Sequence, residues 1–200
     1  MAKTIDYYFA PQSPWTYLGH ARLTAMAEAA MATVRVRPAD FGKVFAVSGG
    51  LPLSKRAPQR QAYRLLELAR FRDVLKLPLN LQPRFFPVAG DDAARLIIAV
   101  DSQDGAQAAM HLSGAILAAV WVQQRDIASA QTLPELLAEC DLPAERLAHS
   151  QSQAVRDQYD ANTQAAIDAG VFGAPSYCID GEIFWGQDRL DFVERKLNSA

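Results

Sequence analysis

Thr4-Ile5-Asp6-Tyr7-Tyr8-Phe9-Ala10-Pro11-Gln12-Ser13-Pro14-Trp15-Thr16-Tyr17-Leu18 changes its hydrophobic period once, and the change falls at the two prolines. In Thr4–Phe9, Ile5, Tyr7 and Phe9 alternate with Asp6 and Tyr8, the period-two pattern of a strand rich in β-branched and aromatic residues. Pro11-Gln12-Ser13-Pro14 interrupts it. Trp15–Ala30 then offers helix formers with an apolar stripe through Leu18, Leu23, Met26 and Ala27. Ser13 suits the N-cap, and Pro14 suits the first helical position, where a missing N–H costs nothing. Thr33–Arg37 alternates again through Val34 and Val36. Strand, helix, strand is a βαβ unit, which favours a right-handed crossover and parallel pairing.

Outward from that unit the texture changes. Ser48-Gly49-Gly50-Leu51-Pro52 reads as loop, and after Pro58 there is little strand signal until the last thirty or so residues. Arg60–Lys76, Ala93–Val100, Ala106–Gln123, Pro134–Cys140 and Gln151–Ala169 read as helices separated by Pro and Gly breaks. Strands return at Ser176–Ile179 and Glu182–Trp185, joined by Asp180-Gly181, a two-residue hairpin signal that needs positive φ. Gly186-Gln187-Asp188 then opens a last helix, Arg189–Leu197. This order predicts an α/β protein. A discontinuous thioredoxin-like domain (residues 1–40 and 170–200) is split by a mainly helical insertion, residues 41–169.

Composition removes several classes of function. Twenty Lys+Arg against 22 Asp+Glu leave a net charge of -2, so no strongly basic face is offered to nucleic acid. The longest apolar stretches, such as Ala115–Val122, fall short of the ~20 residues of a membrane span. The first residues lack an apolar core or cleavage site for export, so a cytoplasmic location is expected. Cys140 and Cys178 lie far apart with no CxxC spacing, which predicts neither a disulfide framework nor a metal site.

Four places carry candidate chemistry. Ser13 ends a βα turn at a helix N-terminus, where its hydroxyl either caps the helix or donates to an anion. It has no evident general base: His20 lies further along the same helix, His111 and His149 fall in the insertion, and no G-x-S-x-G elbow is present. A covalent serine mechanism is therefore not expected. Gly173-Ala174-Pro175-Ser176 is a rigid turn, or, with a cis bond, a place where Ala174 presents its backbone to an extended ligand. Asp188 is another N-cap or the partner of a ligand ammonium group. Lys55, Arg56 and Arg60 are a solvated loop face or a receiver for an anionic substrate.

Taken together, the first three of these places resemble one family. Asp6 to Leu18 resembles the opening strand and Ser-Pro-aromatic helix of 2-hydroxychromene-2-carboxylate isomerases, relatives of kappa-class glutathione transferases on the DsbA-like branch of the thioredoxin fold. Val171-Phe172-Gly173-Ala174-Pro175-Ser176 resembles the family's cis-proline turn. Asp180 to Leu190 resembles its closing hairpin and glutathione-binding helix start. The resemblance implies glutathione as a cofactor, with Ser13 at its sulfur and Ala174 beside cis-Pro175 at its cysteinyl unit. Trp185, Gly186, Gln187 and Asp188 would hold its γ-glutamyl end. The resemblance further implies an aromatic keto-acid substrate near Ser54, Lys55 and Phe86, and a homodimer. The loop through Phe45, Ala46 and Gly50 departs from the family in lacking its Lys and Asn.

The implied chemistry is a cis–trans isomerisation by reversible thiolate addition, with Lys55 expected to meet the substrate carboxylate. A kappa-like transferase acting on electrophiles is the alternative enzyme, and a glutathione-binding module without catalysis the alternative of another class. A disulfide oxidoreductase would need a cysteine where Ser13 stands.

Overall fold

The computed structural model describes residues 3–199. Its sheet has the order β2-β1-β3-β4. Strand β1 (Thr4–Phe9) pairs in parallel with β2 (Thr33–Pro38), Tyr7 opposite Val36. On its other side β1 runs antiparallel to β3 (Ser176–Ile179), which pairs with the edge strand β4 (Glu182–Trp185). The alternation of β1 sorts its side chains into two cores. Ile5, Tyr7 and Phe9 join Leu18, Leu112 and Trp121 in the main cluster, whereas Tyr8 joins Phe41, Val44, Ala166 and Cys178 in a smaller one. Tyr7 stacks on Phe9 and Tyr177 at centroid distances of 4.5 and 5.5 Å. On the second face, Asp6 receives Arg37 at 2.6 Å.

Nine α-helices are described: α1 (Pro14–Ala29), α2 (Phe41–Ser48), α3 (Pro58–Leu75), α4 (Asp91–Asp104), α5 (Ala106–Trp121), α6 (Thr132–Glu139), α7 (Glu145–His149), α8 (Gln153–Asp168) and α9 (Leu190–Asn198). The expected DsbA-like α/β architecture is observed, and the hairpin is where the sequence puts it. Asp180 and Gly181 adopt φ of 52° and 78°, the positive pair that an Asp-Gly turn supplies.

Three local expectations need correcting. Phe41–Ser48, given no element ahead of the loop that starts at Ser48, forms the helix α2 because Asp40 accepts from the N–H groups of Gly42 (2.8 Å) and Lys43 (3.3 Å) at one end. Gly49 closes the other at φ 76°. The short helix α7 was also absent from the sequence pattern, being only five residues long. The last helix is preceded by a 3-10 turn, Gln187–Arg189, so its α-helical part starts at Leu190.

What this arrangement does for function is bring chain ends together. The carboxyl end of β1, the start of α1, the turn before β3 and the turn after β4 meet at one end of the sheet. Helix α3 stands across from them, anchored by Leu68, its one fully buried residue, with Phe71 and Leu75 half-buried against the same core.

Candidate active site

Ser13 adopts an extended conformation (φ -78°, ψ 127°), and its Oγ accepts from the Thr16 N–H at 3.3 Å. The Tyr17 N–H donates to the Ser13 carbonyl at 3.1 Å. Sequence and structure agree on the cap for a local reason: Pro14 fixes the first helical φ and blocks helix before it. The Ser13 side chain also lines a cleft of about 1320 Å³. Single-ligand sites commonly span about 300–1,000 Å³, so this one has room for two small molecules side by side.

Facing Ser13 is the turn before β3, where the Ala174–Pro175 peptide is cis. The Ser176 hydroxyl donates to the Gly173 carbonyl at 2.7 Å, and the Gly186 N–H donates to the Pro175 carbonyl at 2.9 Å. The first bond closes the turn onto β3, and the second ties it to the end of β4. Ala174 lines the cleft, but Pro175 itself does not. Trp185 lies edge-on to Phe172 at 4.7 Å, directly over Gly173, where a Cβ would come within 2.3 Å of its indole nitrogen. Gly186 holds a φ of 102°, and a Cβ there would meet the Asp188 carboxylate at 2.5 Å. Asp188 is exposed at the mouth, 3.2 Å from Arg189. Gln187 is the reverse, 1% exposed, with neither amide atom hydrogen-bonded although the residue lines the cleft. Gln12 Oε1 and Thr16 Oγ1 are also buried without partners.

The structure therefore gathers Ser13, Ala174, Trp185, Gly186, Gln187, Asp188 and Phe86 around one cavity. It does not bring Ser54 and Lys55 there. Both are exposed on the 3-10 turn Leu53–Lys55 and stay outside the lining, which takes Leu53 and Arg56 instead. With three residues per turn, successive 3-10 side chains point a third of a circle apart, and the sequence does not say which one faces inward.

The cations of the cleft are Arg56, Arg60 and Arg64, with Arg189 at the rim. Arg56 Nε donates to the Leu51 carbonyl at 2.8 Å. The guanidinium carbon of Arg64 lies 5.2 Å from the Phe86 ring centroid and 5.8 Å from that of Trp121. Burial, and secondarily the charge of Arg56, push the pKa of Arg64 down to about 10, which leaves it cationic at neutral pH. Sequence reasoning missed Arg64 although it continues the four-residue spacing of Arg56 and Arg60. It also missed Gln12 and Phe172, which carried no signal beyond their place next to the turns.

Among the described residues no side chain hydrogen-bonds the Ser13 hydroxyl as a base. The His20 ring is buried, with Nε2–H donating to the Met110 carbonyl at 2.9 Å and Nδ1 accepting from the Tyr7 hydroxyl at 3.2 Å. Burial lowers its pKa, so it stays neutral and fully committed to the core. No cysteine lines the cleft. Cys178 is buried in β3, its thiol pushed up to about 11 chiefly by that burial and further by Asp6. Among the described residues no group of His, Cys, Asp and Glu is placed to hold a metal ion, and no helix is long and apolar enough to cross a membrane.

A strand-to-helix turn with a capping hydroxyl, facing a cis-proline turn, defines a thioredoxin-type domain. The family model of the DSBA-like thioredoxin domain matches residues 4–198, and the chain belongs to that family. Within it the chain falls with the 2-hydroxychromene-2-carboxylate isomerases. It is 31% identical over 198 residues to the enzyme so named from Pseudomonas putida, covering 96% of this chain and 93% of that one. The one from Sphingobium xenophagum is 29% identical, with 98% and 99% covered. A solved structure of 2-hydroxychromene-2-carboxylate isomerase superposes with a TM-score of 0.77 at 27% identity, covering 97% of this chain and 94% of that one. The cytosolic disulfide reductase DsbM from Pseudomonas aeruginosa, solved with GSH, shares the fold at 20% identity, with a TM-score of 0.68 and coverage of 98% and 100%.

Proposed function

We propose that this chain is a glutathione-dependent cis–trans isomerase. Its substrate would be 2-hydroxychromene-2-carboxylate, converted to trans-o-hydroxybenzylidenepyruvate, or a close aromatic analogue. The observation that carries this reading is the pairing, in one cleft, of a helix-capping serine with a buried, unpartnered Gln187 beside the cis-proline turn. The names of the relatives support an isomerase. The residues present fit glutathione: Gln187 offers a carbonyl and an amide that lack partners in the protein, and Gly173 and Gly186 leave hollows that a Cβ would fill.

In this proposal Ser13 holds the sulfur, Ala174 pairs its backbone with the cysteinyl unit, and Pro175 shapes that turn from behind. Trp185, Gly186, Gln187 and Asp188 hold the γ-glutamyl end, Asp188 by charge at its ammonium group. When bound, glutathione would supply a thiolate able to add reversibly to the C=C conjugated with the ketone of the ring-opened hemiketal, leaving a single bond free to rotate before the thiolate departs. A free thiol has a pKa near 8.5, and a helix N-terminus lowers such values. The Ser13 hydroxyl and the start of α1 favour the anion by donating to it and by the positive end of the helix dipole. The arginines of the opposite wall supply positive potential where the substrate's carboxylate enters. A homodimer and a cytoplasmic location belong to the same proposal.

The deciding experiment follows isomerisation of 2-hydroxychromene-2-carboxylate by purified protein with and without glutathione. A large glutathione-dependent rate is expected. Bound glutathione without acceleration would overturn the isomerase and favour a kappa-like transferase, testable by conjugation of a model electrophile.

A further inference from the structure

One wall of the cleft carries three guanidinium groups and no carboxylate that balances them. Arg56 stands just before α3, Arg60 in its first turn and Arg64 one turn later, so the last two share a helix face. Among the described residues none of the three makes an ion pair, and Glu67, which also borders the cleft, is engaged by Arg70 instead. Arg60 is exposed and water solvates it. Arg64 differs. Its Nη2 is shut off from solvent with no hydrogen-bond partner, and its guanidinium rests against Phe86 and, beneath that ring, Trp121.

A buried cationic N–H without an acceptor is costly, and a cation–π contact offsets only part of that cost. An incoming carboxylate offsets the cost of the buried charge through the part of the guanidinium that lines the cleft, which has no anionic partner in the protein. Phe86 lines the cleft beside that fork and offers an apolar flank to a flat ring attached to the acid. The exposed lysine of the sequence reading, Lys55, has neither the burial nor the position for this role.

We propose that Arg64 fixes the carboxylate of the aromatic substrate, with Arg56 and Arg60 drawing the anion inward and Phe86 flanking its ring. The identity of the acid rests on the isomerase reading above, but the preference for a free aromatic carboxylate over its neutral ester does not.

The test titrates trans-o-hydroxybenzylidenepyruvate and its methyl ester calorimetrically into glutathione-free protein, in the wild type, Arg64→Met, Arg64→Lys and Arg60→Met. Wild type should favour the acid, and Arg64→Met should lose acid affinity by about 10- to 100-fold with the ester unchanged. Arg64→Lys keeps the charge without the fork and should fall between, while the exposed Arg60→Met should change affinity only a few-fold and mostly at low salt. An acid-to-ester preference equal in wild type and Arg64→Met overturns the proposal. So does a fall in glutathione affinity with acid binding intact, which would give Arg64 to a glutathione carboxylate. Arg64-dependent acid binding in a protein that fails to isomerise supports the proposal and overturns only the reaction.

Discussion

Replacing Ser13 by Ala removes one oxygen with two separable roles, and their magnitudes differ. As a cap, Oγ accepts from the Thr16 N–H at 3.3 Å, long for such a bond. Losing it should cost about 0.5–1 kcal/mol, the low end for an N-cap, since the Tyr17 N–H still reaches the Ser13 carbonyl and Pro14 still starts the helix. In a protein of this size that lowers Tm by about 1–4 °C. As a donor to a thiolate, the hydroxyl contributes about 1.5–3 kcal/mol, the range for hydrogen bonds to charged groups. The sign follows from which form is favoured: losing a donor to the anion raises the thiol pKa. At 1.36 kcal/mol per unit, the pKa of bound glutathione should rise by about 1–2 units. Titrating the ultraviolet thiolate band of the complex reads this directly, with kcat measured at the same pH values. Turnover near neutrality should fall about 10- to 100-fold while glutathione affinity changes little, and Ser13→Thr should recover much of the loss. An unshifted thiol pKa with unchanged turnover, alongside the small drop in Tm, would reduce Ser13 to a cap and refute the mechanism.

Two further expectations follow from buried contacts. In Gly173→Ala the new methyl would sit within 2.3 Å of the Trp185 indole nitrogen, so the half-exposed ring must swing away from the turn. Gly173 is buried, so stability should fall by about 1–3 kcal/mol, as for an overpacked position, while glutathione affinity should weaken on the order of 10-fold; an unaltered dissociation constant would take Trp185 out of the binding site. His20 has its pKa lowered by burial, so the unfolded chain binds its proton more readily than the fold does. Its contribution is whole above about pH 6.5 and is lost on acidification, with a slope of at most about 1.4 kcal/mol per pH unit. Urea midpoints of wild type and His20→Gln should converge as the pH falls from about 7 to 5; parallel curves would count against it.

Much of this fold is local and was legible in the chain. The period of Ile5, Tyr7 and Phe9, the Ser13-Pro14 break and the Asp180-Gly181 turn each set backbone conformation within a few residues, where sterics and capping act directly. Helix α2 was written there too, in Asp40 and Gly49, but the glycine-rich stretch behind it hid the signal. The resemblance of both chain ends to one family located the wall formed by Ala174 and Trp185–Asp188 for the same reason, since turn and hairpin are contiguous in sequence.

The opposite wall was decided only by packing. Lys55 and Arg56 are neighbours with the same charge, and a single step around a 3-10 turn sends one into water and sets the other at the cleft. Arg64 reads as one more arginine on a polar helix until α3 docks through Leu68 and lays it across Phe86 and Trp121, residues from two distant segments. Backbone shape and capping are short-range and are specified residue by residue. Desolvation of a charge depends on everything folded around it, and that only the assembled tertiary structure determines.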